Sequence, residues 1–195
     1  YLRAAANHRC TIRVLLRKPP MTDNTYWVFG YGSLIYKVDF PFLDRERASI
    51  TGWTRRFWQG SHDHRGTAEA PGRVLTLISA PGHLCRGMAY RISHSVFEHL
   101  DYREKNGYRR VEMPMTLEDR DESVQGTVYV ADEDNSAYLG GDSDAAIAAH
   151  IAKSHGPSGS NADYLLNLAE ALRELGEDDE HVFALERELL LFRAS

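Results

Sequence analysis

Val28-Phe29-Gly30-Tyr31-Gly32-Ser33-Leu34, the stretch VFGYGSL at residues 28–34, decides how this chain is read. A short apolar run bounded by turn signals reads as a buried strand. It stops at two glycines that flank a tyrosine and precede a serine. Glycine carries no side chain and tolerates backbone conformations closed to other residues. Either the chain needs only a turn here, or something approaches the backbone closely. The stretch lacks the Lys-Ser/Thr of a phosphate loop, the third glycine of GxGxxG and the central serine of GxSxG. What remains is a set of amides after a strand, of the kind that bind a carboxylate or an oxyanion.

Working outward, residues 26–29 form the first expected strand, and Phe40-Pro41-Phe42 belongs to a loop. Residues 49–58 carry the aromatic and β-branched content of a strand, and residues 62–72 read as a polar loop. RVLTLIS at 73–79 and residues 84–92 read as two strands of a hairpin around Pro81-Gly82. Ser93 is expected to cap a helix with Val96, Phe97 and Leu100 on one face. Residues 109–117 and 124–131 are two further strands around a charged turn. The last third is helical: 142–154, then a break at Gly156-Pro157-Ser158-Gly159, then a helix capped by Asn161 and ended by Gly176. A final amphipathic helix covers 179–192. Strands first and helices afterwards indicate an α+β domain rather than alternating βαβ units.

The 195 residues suffice for one domain with a sizeable core. The composition, 43% apolar and 26% charged, is that of an ordinary globular protein. A net charge of −5 argues against nucleic acid, which needs clustered Lys and Arg. Two cysteines, Cys10 and Cys85, allow neither a disulfide framework nor a CxxC metal site and fit a reducing, cytoplasmic setting. No apolar run is long enough to span a membrane. The first stretch differs: Arg3, Arg9, Arg13, Arg17 and Lys18 precede the first acid, Asp23. Such a stretch reads as a mitochondrial-type transit peptide, an extension or a cloning remnant, with Met21 as a candidate start. Residues 1–23 are therefore set apart from a single domain over 24–195.

Three further segments carry candidate chemistry. In Leu100-Asp101-Tyr102-Arg103-Glu104-Lys105-Asn106-Gly107-Tyr108, alternating charges near a helix end ordinarily make a solvated surface. Tyr102 and Tyr108 beside Glu104 offer another outcome, a carboxylate partly desolvated and raised in pKa. In Arg55-Arg56-Phe57-Trp58-Gln59-Gly60-Ser61-His62-Asp63-His64-Arg65-Gly66, the His-x-His spacing hints at a metal. No second ligand pair accompanies it, so no metal is expected. In Gly156-Pro157-Ser158-Gly159-Ser160-Asn161-Ala162-Asp163-Tyr164, a loop precedes a capped helix whose first turn aims the Tyr164 hydroxyl.

Together and in this order, VFGYGSLI, RRFWQGSHDHRG, PGRVLTL, GMAYR, LDYREKNGYR, YLG at 138–140 and GPSGSNADYL resemble the ChaC-like γ-glutamylcyclotransferases that act on glutathione. The resemblance spans nearly everything after Met21. One departure is Tyr36, where the family commonly has Trp after GYGSLI; an aromatic is kept, so little effect is expected. The resemblance implies a small mixed β-barrel with packed helices. It implies cleavage of glutathione into 5-oxoproline and cysteinylglycine without a cofactor. It also implies that Glu104 is the acid/base, and that Tyr31, Gly32, Ser33 and Leu34 bind the γ-glutamyl group.

That chemistry suits a sparse toolkit, because the substrate's own α-amine attacks the γ-carbonyl of the same unit. On this expectation Tyr108 desolvates Glu104, Tyr164 hydrogen-bonds substrate or leaving amine, and Arg73 is a weaker candidate for a substrate carboxylate. The competing expectations are turnover of γ-glutamyl amino acids or amines, a non-catalytic binding protein on the same scaffold, and, distantly, a metal-dependent hydrolase around His62 and His64.

Overall fold

The computed structural model describes residues 24–105 and 107–194; the expectations for residues 1–23, and Cys10, lie outside the described residues. Strand β1 (Thr25–Gly30) runs into a 3-10 turn at Ser33–Ile35. Two long strands follow, β2 (Asp44–Ser61) and β3 (Gly72–Ser93), then helix α1 (Val96–Arg103) and strands β4 (Tyr108–Leu117) and β5 (Glu122–Ala131). The chain ends in α2 (Asp144–Lys153), a small hairpin of β6 (His155–Gly156) and β7 (Gly159–Ser160), α3 (Asn161–Glu174) and α4 (Glu180–Ala194).

The five long strands close a barrel in the order β1-β3-β2-β4-β5. Every pairing is antiparallel except the closing one, where Trp27, Val28 and Phe29 lie parallel to Gly126, Thr127 and Val128. Closure removes the unpaired edges that an open sheet would expose. The expected small mixed β-barrel with packed helices is therefore the observed architecture. Val28, Phe29, Ala89, Tyr90, Leu117 and Val128 are among its buried interior residues.

The expected hairpin at 73–92 is corrected. Residues 72–93 form one strand, paired with β2 from Ser61↔Gly72 to Asp44↔Arg91. Thr51 faces Leu84 and Trp53 faces Ser79, so residues 80–83 bulge opposite Gly52 alone. Gly52 and Gly82 both take left-handed φ, 87° and 83°, which bends both strands at one place. Pro81 sits in this bulge, where its missing N–H costs no ladder bond. Beyond the bend, the fully buried Thr76 pins β3 across the end of β5: its Oγ1 donates to Ala131 O (2.7 Å) and accepts from Ala131 N (3.0 Å).

Two caps also move. Ser93 ends β3, and the residue before α1 is Ser95, whose side chain makes no capping bond. Asn161 lies inside α3; Ser160 caps it, accepting from Asp163 N at 3.0 Å. Asn161 is instead buried, with Oδ1 accepting from Arg73 N (2.6 Å) and Nδ2 donating to Arg73 O (2.7 Å). This pair docks α3 onto the start of β3. A second bulge in β2 places Phe57 and Trp58 opposite Leu75. The Phe57 N–H, freed from the ladder, donates to His181 Nε2 on α4 at 3.1 Å.

Candidate active site

Sequence order brings β1 and β5 to a finish, and β4 to a start, at the same end of the barrel. There the 3-10 turn, the end of α1, the start of α3 and the 62–71 loop surround a cleft. An outer space of about 180 Å³ adjoins an inner one of about 70 Å³, and Ser33, Arg103, Glu104, Tyr108 and Tyr164 line both.

Glu104 stands at this boundary. It follows α1, whose Val96, Phe97 and Leu100 are buried and fix the helix end, and its own N–H bonds Leu100 O at 2.8 Å. The side chain keeps 21% exposure. Burial pushes its pKa up; Arg103 opposes this, and the charges of Asp39 and Asp63 add to it. Of the two tyrosines expected to desolvate it, Tyr108 lines the cleft beside it. Tyr102 is 72% exposed and turns away to lie under Lys105, whose Nζ is 4.2 Å from its ring centroid.

Three phenols, buried at Tyr31 and Tyr164 and partly buried at Tyr108, complete the inner wall. Tyr31 donates its hydroxyl proton to Tyr129 O at 2.8 Å, and Tyr108 donates to Leu75 O. Burial pushes both well above the ordinary tyrosine pKa, so they stay neutral. With their protons committed to carbonyls, Tyr31 and Tyr108 present lone pairs and can accept from an amine. Burial also raises Tyr164, against a hydrogen bond from the Leu75 backbone. The raised pKa keeps its hydroxyl protonated and so able to donate.

The glycine loop completes the mould. Ile35 N bonds Gly32 O at 3.0 Å and Lys37 N bonds Ser33 O at 2.7 Å, which tightens the turn. No hydrogen bond among the described residues uses the amides of Gly32, Ser33 or Leu34 as donors. A β-carbon on Gly32 would lie 3.0 Å from the Tyr164 hydroxyl, so the loop backbone at Gly32 packs close against that phenol. Ser33 Oγ accepts from Arg103 Nη2 at 2.9 Å.

Arg73 is not brought to the cleft. Only 7% exposed, it gives Nη1 to Phe57 O (3.0 Å) and Gly140 O (2.8 Å), tying β2 to the 138–140 segment. The cleft's cations are Lys37, Arg65 and Arg103. Arg65 donates to Ser158 O at 2.8 Å and lies 5.3 Å from the Tyr164 ring centroid. Sequence reasoning missed Arg103, Asp39 and Arg65 as site residues; the one available signal for Arg103 was its place beside Glu104. Tyr36, the departure from Trp, leaves its buried hydroxyl without a partner among the described residues, and its pKa is pushed up to about 12.

Among the described residues, no three His, Cys, Asp or Glu side chains cluster to hold a metal ion, and no helix is long and apolar enough to cross a membrane. His64 Nδ1 instead lies 3.1 Å from Ser158 Oγ.

Known proteins resemble this chain in sequence and in fold. The family model described as ChaC-like protein matches residues 26–190. "Gamma-glutamylcyclotransferase 2-3" of Arabidopsis thaliana is 46% identical over 80% of this chain and 84% of its own. "Glutathione-specific gamma-glutamylcyclotransferase 1" of Danio rerio is 41% identical over 86% and 90%. The crystal structure of the glutathione-specific γ-glutamyl cyclotransferase from yeast superposes with a TM-score of 0.79 at 32% identity, covering 86% of this chain and 96% of that one. The barrel and its capping helices are a γ-glutamylcyclotransferase-like fold. The chain belongs to the ChaC-like family.

Proposed function

We propose that this chain is a glutathione-specific γ-glutamylcyclotransferase with Glu104 as its acid/base, contained in a single domain over residues 24–195. The carrying observation is the position of the Glu104 carboxylate at the boundary of the two spaces, facing a loop with three undonated amides. The names of the Danio rerio and yeast relatives support the choice of substrate.

The γ-glutamyl group occupies the inner space and cysteinylglycine the outer one. The α-amine nitrogen attacks the γ-carbonyl carbon of the same unit and closes a five-membered lactam, so proximity is built into the substrate. The bond from that carbon to the cysteine nitrogen breaks. Glu104 takes the proton the amine loses and delivers it to the departing cysteine amine. Atoms balance with no water or cofactor consumed: glutathione gives 5-oxoproline and cysteinylglycine. The amides of Gly32, Ser33 and Leu34 receive the oxyanion or the α-carboxylate. A carboxylate raised by burial is a better match than an exposed one for an α-amine of pKa about 8.

The cytoplasm, with its reduced glutathione and with Cys85 as a free thiol, is the compartment this reading assigns; an import role for residues 1–23 would assign the mitochondrion. The test is to incubate the protein separately with glutathione and with γ-glutamyl-alanine and to measure 5-oxoproline. Product from glutathione alone is expected. Comparable turnover of γ-glutamyl-alanine overturns the specificity, and no product from either substrate favours a binding protein on this scaffold.

A further inference from the structure

The Arg103 guanidinium meets three oxygens from three parts of the chain. Nη1 donates to Asp39 Oδ1 at 2.6 Å, Nη2 donates to Ser33 Oγ at 2.9 Å, and Nε lies 3.2 Å from Glu104 Oε1. Side chains at adjacent helical positions do not face each other. Arg103 and Glu104 meet because α1 ends between them, with Glu104 at φ −94° and ψ 12°. The side chain is 18% exposed, and its rigid fork fits three separated acceptors in a way that a point charge does not.

We propose that Arg103 is the positioning residue of this site, holding the Glu104 carboxylate in register with the glycine loop by bridging it to Ser33 and Asp39. This rests on the reading of Glu104 as acid/base. The groups facing Glu104 are Arg103 on α1, Asp39 before β2, Asp63 in the 62–71 loop, Tyr31 after β1, Tyr108 on β4 and Tyr164 on α3. Lys37, His64 and Arg65 line the outer space beyond them. Of the groups facing Glu104, Arg103 alone is a cation, so it favours the ionised carboxylate while fixing its place.

The experiment compares Arg103→Gln, Arg103→Lys, Asp39→Asn and Glu104→Gln for 5-oxoproline formation from glutathione across pH. Arg103→Gln is expected to lower kcat by roughly tenfold to a hundredfold, the scale of an ångström-sized misplacement. KM should change little, and the acidic limb of the kcat profile should move to higher pH. Arg103→Lys keeps the charge, so its limb stays near that of the parent while kcat still falls. Asp39→Asn removes an anion near Glu104, so its limb moves to lower pH; this variant carries the test if Arg103→Gln fails to fold. An unchanged kcat in Arg103→Gln, or a reduced kcat with an unmoved limb, overturns the proposal. So does an Asp39→Asn limb that does not move, or full kcat in Arg103→Lys. Glu104→Gln separates the two claims. Its turnover near the parent rate sinks the reading of Glu104, whereas an inactive Glu104→Gln beside an unaffected Arg103→Gln sinks the positioning role alone.

Discussion

The hydroxyl of Tyr164 stands 3.0 Å from the point where a β-carbon on Gly32 would lie. Contacts this tight require one side to give by a few tenths of an ångström, and Tyr164 is buried against Phe57, ring centroids 5.6 Å apart. Gly32→Ala should therefore lower 5-oxoproline formation by at least about tenfold, with a small change in Tm. Adding Tyr164→Phe removes the clashing atom. Adding Gly32→Ala to Tyr164→Phe should then cost less activity than adding it to the parent, and an equal cost would show that crowding is not the cause.

Glu104→Gln preserves shape and removes the base. General acid–base catalysis contributes roughly a hundredfold to ten-thousandfold, and a loss on this scale is expected in kcat. The same burial that raises the Glu104 pKa disfavours its charged form in the folded state. The folded chain therefore binds this proton more tightly than the unfolded chain does. Stability drains as pH rises from the ordinary carboxylate range through the raised value. At neutral pH Glu104→Gln should melt higher than the parent while being inactive. A lower Tm would contradict the origin of the shift.

His181 gives the opposite pH dependence. Burial lowers its pKa from 6.5 to about 4, and its neutral Nε2 accepts the Phe57 N–H. Between those values the unfolded chain binds a proton that the folded chain refuses. Stability is complete above about pH 6.5 and falls by up to about 3 kcal/mol as pH drops toward 4. Chemical denaturation across this range measures the slope. His181→Ala should flatten it and lower stability at pH 7 by about 1–3 kcal/mol through the orphaned amide.

Asn161→Ala removes both partners of the Arg73 backbone in a buried position. An unsatisfied buried group costs about 1–3 kcal/mol. A fall in Tm of roughly 5–10 °C is expected. Glutathione turnover measured well below that Tm should survive, because neither Asn161 nor Arg73 lines the cleft.

Legibility followed the range of the physics. β1, β4, β5 and the last helix were legible because apolar periodicity acts within a few residues; Asp179, read as the first residue of that helix, caps it instead, accepting from Val182 N at 3.0 Å. Pro81-Gly82 carries the local chemistry of a turn, and a wide bulge needs the same chemistry. Whether the chain turns back or continues depends on β2, whose Gly52 bends in concert, and residue 82 says nothing of that. Asn161 reads as a cap until Ser160 takes the cap and frees it for the core. Glu104 and the glycine loop were read from motifs. Asp39 lies 64 residues from Arg103, and only the folded chain brings the two carboxylates onto one guanidinium. Arg73 fits an anion ligand in sequence terms, but the bulge at Phe57 and the 138–140 segment offer it carbonyls instead.

The parallel seam between β1 and β5 also fixes an order of events in time. Trp27, Val28 and Phe29 find their partners in Gly126, Thr127 and Val128, about a hundred residues further along. Pairings so distant carry a large loop-closure cost and make folding slow. A nascent chain cannot complete the cleft until β5 and then α3, which carries Tyr164, have been synthesised. In refolding experiments, recovery of 5-oxoproline formation is expected to track the slowest phase, after the helical signal has returned.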